Sequence, residues 1–311
     1  MERKKISIAV VLAYFNGENY IKEQVNSILN QTIECTNLYI SDDNSIKKLK
    51  KTDLNLENKK SHRVHIYNRK ENYNYSKNFL VTLHEIPNKY NFYSFSDQDD
   101  VWFENKLEKA IDKIIEYPKE TPVLYCGRSL IEYQGKKHIK KLSTLHSKKP
   151  SFSNSLVQNI GGGNTMVMNK AARNIVVNSF SIEKVISHDW WIYQVLTSCG
   201  GIVIYDPKPY LIYRQHKNNL ISTNNNWRGR LNRIIGLLNG NYKYWNSLNI
   251  KALEKNSNLI TKENKKILSF FVESRKGNFL KRLYYLKLSR VYRQNLLGNL
   301  GLIFGSLINR I

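Results

Sequence analysis

At 311 residues with 41% hydrophobic side chains, the chain is long enough to bury one large α/β core with an appended helical segment. Lysine and arginine number 49 against 25 aspartates and glutamates, a net charge of +24 that suits nucleic acid, an anionic membrane surface or an anionic acceptor. Cys35, Cys126 and Cys199 are odd in number and widely spaced, which excludes a zinc pattern and a disulfide framework and fits a reducing, cytoplasmic setting.

The first residues, Met1 to Lys5, lead into a short apolar run, Ile6 to Ala13, that lacks a small-residue cleavage site and reads as a first strand rather than a signal peptide. It ends in Tyr14-Phe15-Asn16-Gly17. Tyr20, Ile21, Val25, Ile28 and Leu29 then recur at helical spacing, and the helix stops near Asn30-Gln31-Thr32. A second strand, Asn37 to Ile40, runs into Ser41-Asp42-Asp43-Asn44-Ser45. Strand, helix, strand and acidic loop within about 45 residues make a βαβ unit. Right-handed crossover makes its two strands parallel neighbours.

A third strand, Phe92 to Phe95, is followed by Asp97-Gln98-Asp99-Asp100, three carboxylates in four residues. Charges crowded that tightly repel, and a hard divalent cation, Mg²⁺ or Mn²⁺, holding a diphosphate would relieve the repulsion at the carboxyl end of a parallel strand. The alternative is a turn that caps the next helix, Glu104 to Ile115. Gly161-Gly162-Gly163-Asn164 precedes a strand, Thr165 to Met168, and either lets a ligand approach closely or is a plain flexible loop; it lacks the Gly-x-Gly-x-x-Gly spacing of a dinucleotide site. A helix over Trp190 to Ser198 ends at Gly200-Gly201, and two strands follow, Ile202 to Tyr205 and Tyr210 to Tyr213. Trp227 to Ser274 reads as polar helices broken at Asn224-Asn225-Asn226 and Asn239-Gly240-Asn241. After Glu273 there is no acid, while basic residues alternate with Phe279, Leu280, Leu283, Tyr284, Leu286 and Leu288, a pattern that suits a lipid headgroup layer. Leu296 to Ile308 is too short and interrupted for a membrane span and reads as interfacial or as a homodimer contact. Packing of these helices back onto the α/β domain is the alternative.

Taken together, Val11 to Asn16, Ser27 to Thr32, Ser41 to Ser45, Phe95 to Trp102, Gly163 to Asn169, His188 to Trp191 and Tyr213 to His216 resemble, in order and spacing, the family 2 inverting glycosyltransferases. The Asp-Gln-Asp-Asp-Val-Trp, His-Asp-Trp-Trp and Tyr-Arg-Gln-His forms are similar to bacterial rhamnosyltransferases that build surface polysaccharides. The resemblance implies a GT-A fold, a Rossmann-like, mostly parallel α/β sheet flanked by helices, over residues 1–220, with a basic helical region over 221–311. It implies that Ala13, Tyr14, Asn16, Asp42 and Asp43 hold the donor nucleotide, Asp43 accepting from the imide N–H of uracil or thymine; an Asx turn in the same loop is compatible with this role. Asp97 would face the donor's ribose or sugar, while Asp99 and Asp100 hold Mg²⁺ or Mn²⁺. Arg214 would reach the diphosphate and His216 the metal once a loop, Lys217 to Asn226, closes, the alternative being surface or structural roles for both. Gly163, Asn164, Trp190 and Trp191 would form the acceptor side, and Asp189 would be the general base, desolvated by the two indoles. A first-turn acid that only complements the helix dipole is the competing reading of Asp189.

These roles give inversion in one displacement without a covalent intermediate, unlike a glycosidase with paired acids. The donor is dTDP-rhamnose as first choice and a UDP-hexose as second. The resemblance implies an acceptor glycan, carried on a polyprenyl diphosphate, that would be met by an enzyme peripheral to the inner face of the cell membrane. Two other classes compete. A sugar nucleotidyltransferase would open with a glycine-rich basic loop where this chain has Tyr14 to Glu18. A nucleic-acid-binding protein would explain the charge, but no helix-turn-helix or RNA-binding signature accompanies it.

Overall fold

The structure, a computed structural model, describes residues 6–34, 36–179, 185–216, 219 and 227–311. The chain forms two compact units, the first from Met1–Leu145, Gly161–Phe180 and Ile202–Asn219, the second from His146–Ile160, Ser181–Gly201 and Leu220–Ile311.

The first unit is a mixed sheet flanked by helices. Its strands are β1 (Ile8–Tyr14), β2 (Thr36–Asp42), β3 (Val64–Asn68), β4 (Phe92–Ser96), β5 (Val101–Trp102), β6 (Val123–Tyr133), β7 (Lys136–Leu142), β8 (Val167–Asn169) and β9 (Ile202–Gln215). They lie in the order β3-β2-β1-β4-β8-β6-β9-β5, with β7 paired to β6. The β3-β2-β1-β4 half is parallel throughout, as the N-terminal βαβ reading requires. Antiparallel pairing enters at β8. From Ile8 to Leu12 no side chain of β1 is exposed, the signature of a parallel strand covered on both faces. On one face, Ile8, Val10 and Leu12 pack in a single cluster with Ile21, Val25 and Ile28 of the Ile21–Leu29 helix and with Leu107, Ala110 and Ile111 of the Lys106–Ile114 helix.

Register fixes where the loops meet. Tyr14 stands opposite Asp42, and Leu12 opposite Ser96, so the chain leaves β1, β2 and β4 at one edge within two residues of the same level. That edge is the carboxyl end of three parallel strands.

Several expected boundaries shift, among them the start of the helix read from Trp190, which begins at His188, and the first strand, which runs Ile8–Tyr14. The two strands read at 202–205 and 210–213 are one strand, β9, because the pairing with β6 steps from Gly127 opposite Asp206 to Arg128 opposite Pro209. That bulge carries Pro207 and Lys208 outside the ladder, which is how a proline-containing stretch remains a strand. Thr165 belongs to a 3₁₀ turn, Gly163–Thr165, and the strand after it starts at Val167. The helix read from Glu104 begins at Lys106.

The second unit is helical. Its Phe152–Ser155, His188–Ser198, Trp227–Leu238, Asn241–Lys255, Lys262–Glu273, Phe279–Leu288 and Leu296–Leu307 helices include one, His188–Ser198, buried along its whole length. Asn264 Nδ2 donates to the Thr197 and Ser198 carbonyls at 3.0 Å each, and so satisfies the buried C-terminal end of that helix. The break expected at 239–241 is present, with Gly240 at φ +80°, where a side chain would be strained.

Arg173, on the Lys170–Ser179 helix, serves the C-terminal end of the Tyr75–Glu85 helix. Its Nη2 donates to the Leu83, Ile86 and His84 carbonyls at 3.0, 3.3 and 3.5 Å. Arg173→Met leaves those oxygens without their donor, an expected loss of about 2–4 kcal/mol. Urea unfolding checks this, and a midpoint within experimental error of the original would show that the contact is dispensable.

Candidate active site

The three loops at the sheet edge are stitched together by side chains that bond backbone. Gln98 accepts from the Phe15 N–H at 2.8 Å and donates to the Phe15 carbonyl at 3.1 Å, extending the β1–β4 pairing beyond the strands. Asn16, at φ +47°, accepts from the Ile46 N–H at 3.0 Å while its own N–H donates to Ser45 Oγ at 2.9 Å. The Asp43 N–H donates to the Tyr14 carbonyl at 2.8 Å. Of the residues expected at the donor nucleotide, Ala13, Tyr14, Asn16, Asp42 and Asp43 therefore stand in one small region.

Their electrostatics differ. Asp42 is buried and accepts from the Ser45 and Leu49 amides at 2.8 and 2.9 Å, one to each oxygen, so both of its oxygens serve the loop turn. Asp43 accepts from the Tyr73 N–H at 2.7 Å. Burial raises its proton affinity, and the Tyr73 amide and Arg69 oppose that rise. Tyr14 is pushed up to about 12, chiefly by burial.

The acidic run lies at the same edge, between β4 and β5. Asp99 Oδ2 is 2.7 Å from His216 Nε2, and the His216 ring stacks on Tyr20 with centroids 4.8 Å apart and planes 11° from parallel. Arg214 Nε donates to the Asp99 carbonyl at 2.5 Å and its Nη2 to the Asp100 carbonyl at 3.2 Å, while its guanidinium lies 5.1 Å from the Tyr20 ring and pairs with Glu23. Arg214 and His216 are thus gathered with Asp99 and Asp100. Residues 217, 218 and 220–226 of the loop expected to close lie outside the described residues.

Asp100 is fully buried. Its Oδ2 accepts from Asn164 Nδ2 at 2.5 Å, and its Oδ1 has no hydrogen-bond partner among the described residues. Burial raises its proton affinity well above the carboxylate range, with Asp97 and Asp99 adding to the rise and Asn164 and Arg214 opposing it. Asn164, expected on the acceptor side with Gly163, is in this structure a donor to the acidic run.

Asp189, Trp190 and Trp191 belong to the second unit. Asp189 is in the first turn of the buried helix and accepts from the Trp190 N–H at 2.7 Å. The indoles are only 8% and 1% exposed, and Trp190 Nε1 donates to the Ser155 carbonyl at 2.6 Å, so within this unit both are packed side chains. Burial holds His188 down at about 4, against the opposing charge of Asp189.

Sequence reasoning passed over Tyr20, Gln98 and Lys106. Lys106 is buried with Nζ 3.5 Å from the Trp102 ring centroid, and burial pushes it down to about 7 while Asp100 opposes. A lysine on the apolar face of an amphipathic helix was the available signal. For Tyr20 and Gln98 the partners are remote in sequence.

A divalent cation fits the donor chemistry at this edge. Among the described residues no three His, Cys, Asp or Glu side chains are grouped closely enough to hold a metal unaided. The carboxylates of Asp99 and Asp100, whose Oδ1 has no partner among the described residues, would be the hard oxygen ligands and the His216 imidazole a softer one, and Mg²⁺ commonly takes only one or two carboxylates and completes its shell with phosphates and water.

Residues 9–176, just over half of the chain, match the family described as Glycosyl transferase family 2. A dTDP-rhamnosyl transferase of Shigella flexneri, RfbG, is 27% identical over 237 residues, covering 72% of this chain and 78% of that protein. Among solved structures, S. aureus TarS 1-349 in complex with UDP superposes with a TM-score of 0.51 at 14% identity, covering 91% of this chain and 90% of that one. Mannosyltransferase PcManGT from Pyrobaculum calidifontis, in complex with GDP-Man and Mn²⁺, gives a TM-score of 0.50 at 12% identity over 92% and 87% of the two chains. The fold is the GT-A fold that the sequence motifs imply.

A Cβ on Gly17 would fall 2.3 Å from Gln98 Oε1, so Gly17→Ala displaces the side chain that ties β1 to the acidic run. Gly17→Ala and Gln98→Ala should therefore remove the same two bonds, and the double variant should be more stable than the summed losses predict by about 1 kcal/mol. Strict additivity in denaturant unfolding would show that Gln98 and Gly17 act independently.

Proposed function

Because the chain belongs to glycosyl transferase family 2 and is a glycosyltransferase, we propose that it is a metal-dependent inverting enzyme that moves rhamnose from dTDP-rhamnose onto a hydroxyl of a growing bacterial surface glycan. The observation that carries the metal and donor assignment is the acidic end of β4, where Asp99 pairs with His216 and a buried Asp100 oxygen has no partner among the described residues. The likeness to a dTDP-rhamnosyl transferase supports the choice of donor over a UDP-hexose, the second candidate. In this reading the acceptor glycan is carried on a polyprenyl diphosphate, which keeps the enzyme at the inner face of the membrane.

Asp43 accepts a hydrogen bond from the imide N–H of the thymine, its oxygens being acceptors whenever it is ionised. Ala13, Tyr14 and Asn16 position the nucleotide beside it, and Asp42 does so indirectly by folding the loop. Asp97 faces the donor sugar. Asp99, Asp100 and His216 hold Mg²⁺ or Mn²⁺, which when bound offsets the charge that develops on the diphosphate leaving group. Arg214 holds the backbone of Asp99 and Asp100 in place and contributes positive charge near the diphosphate. Asp189 takes the proton from the attacking hydroxyl, and the new glycosidic bond forms on the face opposite the departing diphosphate. Gly163, Asn164, Trp190 and Trp191 support this arrangement, the tryptophans by fixing the helix that bears Asp189.

Asp99→Ala or Asp100→Ala should abolish the thermal stabilisation that Mn²⁺ with dTDP confers, while the unliganded protein still unfolds cooperatively. Persistence of that stabilisation in both variants would remove the metal assignment.

Asp189→Asn should retain dTDP-rhamnose binding and lose roughly 10²-fold to 10⁴-fold in turnover. Turnover near the original would move the base elsewhere, His188 being next in line.

A further inference from the structure

The helical unit carries an apolar surface that its own packing does not use. In the Leu296–Leu307 helix, Leu302, Gly305 and Ser306 are buried, while Leu300 (54%), Phe304 (48%) and Leu307 on the same stripe are exposed. The Trp227–Leu238 helix, which the sequence suggests is polar, exposes a stripe of its own at Leu231, Ile234 (54%) and Leu238. The two helices touch where Gly305 lacks a side chain: a Cβ there would come within 3.0 Å of Leu237 Cδ1. Beside them, between the Phe279–Leu288 and Leu296–Leu307 helices, lies an apolar cavity of ≈ 290 Å³ with Lys287 in its wall. Scattered surface leucines need no explanation, but two such stripes on touching helices do.

Charge identifies the occupant. No acid occurs from Trp227 to Leu253 or from Ser274 to Ile311, and Arg233, Lys287, Arg290 and Arg310 are exposed within those segments. A second copy of the chain bound across a two-fold axis would set each patch against itself, cation facing cation with no acid to compensate. An anionic bilayer supplies both missing complements, phosphate for the cations and acyl chains for the apolar stripes. Among the described residues no helix is long and apolar enough to cross a membrane, so contact is in the plane of the headgroups.

We infer that the Leu231–Ile234–Leu238 and Leu300–Phe304–Leu307 stripes form a surface that docks in the headgroup layer of an anionic membrane, with Lys287, Arg290 and Arg310 as its cationic collar. The inference deepens the reading of a membrane-held acceptor and rests on it for purpose, while its test needs no transfer activity.

The full-length protein is sedimented with sucrose-loaded vesicles of phosphatidylcholine, with and without phosphatidylglycerol. Binding should require phosphatidylglycerol, weaken with salt, and fall about 10-fold or more in Phe304→Glu and in Ile234→Glu, since each places a carboxylate in the apolar contact. Both positions are exposed, so thermal unfolding and stabilisation by Mn²⁺ with dTDP should be unchanged. If the nucleotide stabilisation is absent from the original protein but vesicle binding behaves as stated, the donor reading fails and the docking surface stands. Sedimentation of both variants like the original overturns the surface. So does an original that is dimeric in solution and becomes monomeric in the variants with vesicle binding unaltered.

Discussion

Asp100 is fully buried next to Asp97 and Asp99, and burial and like charge both act to protonate it. The surrounding structure opposes this from several elements at once. Asn164 comes from the 3₁₀ turn before β8, Arg214 from the end of β9, and Lys106 from the helix that follows β5. A carboxylate held in that way is poor as a core residue, because an apolar side chain would fill the space at lower cost. What this buried carboxylate leaves open is one oxygen, Oδ1, without a partner among the described residues, and Asp99 and His216 lie in hydrogen-bond contact with each other in the same acidic run.

The parts of this arrangement that sequence made legible are those with local signals. The apolar run of β1, the helical spacing of Ile21, Val25 and Ile28, and three acids in four residues each speak for themselves, and crossover handedness then puts β1 beside β2 in parallel. The rest depends on partners remote along the chain. Gln98 looks like a spacer between acids until β1 and β4 are set side by side, when its amide meets the backbone N–H and carbonyl of Phe15. Pro207 and Pro209 look like the end of a strand because the bulge that accommodates them is a property of the pairing with Gly127 and Arg128. Asp42 and Asp43 are indistinguishable as letters, yet one satisfies two amides of its own loop and the other accepts from the Tyr73 amide, about thirty residues further along the chain.

Trp190 and Trp191 show the limit of reading chemistry from residue type. Paired indoles next to an acid suit a sugar surface and suit a helix core equally well, since both uses draw on the same large apolar faces. The helix is buried on every side, its polar Gln194, Thr197 and Ser198 included, and the side chains of these three donate to nearby backbone carbonyls. The hydrogen bond from Trp190 to Ser155 then fixes one ring in place, and rigid support of this kind is what a general base at the helix start requires if its geometry is to be held.

The acidic run is also held mechanically. It connects β4, bound in the parallel half of the sheet, to β5, whose two residues pair antiparallel with Leu211 and Ile212 of β9. Both ends of the run are thus anchored in one sheet. The strand that anchors its far end continues directly to Arg214 and His216, so the groups that meet Asp99 and Asp100 arrive on the same backbone that fixes β5. Tyr20, just before the Ile21–Leu29 helix, then packs against both Arg214 and His216 and ties them back to the β1 side of the crevice. Strand pairing sets the distance across the site, and the Tyr20 ring sets the angle. A side chain at either end could be replaced by one of similar charge without restoring function unless it also respected that spacing, which is why Arg214, with its fork laid on two successive carbonyls, is not equivalent to a lysine here.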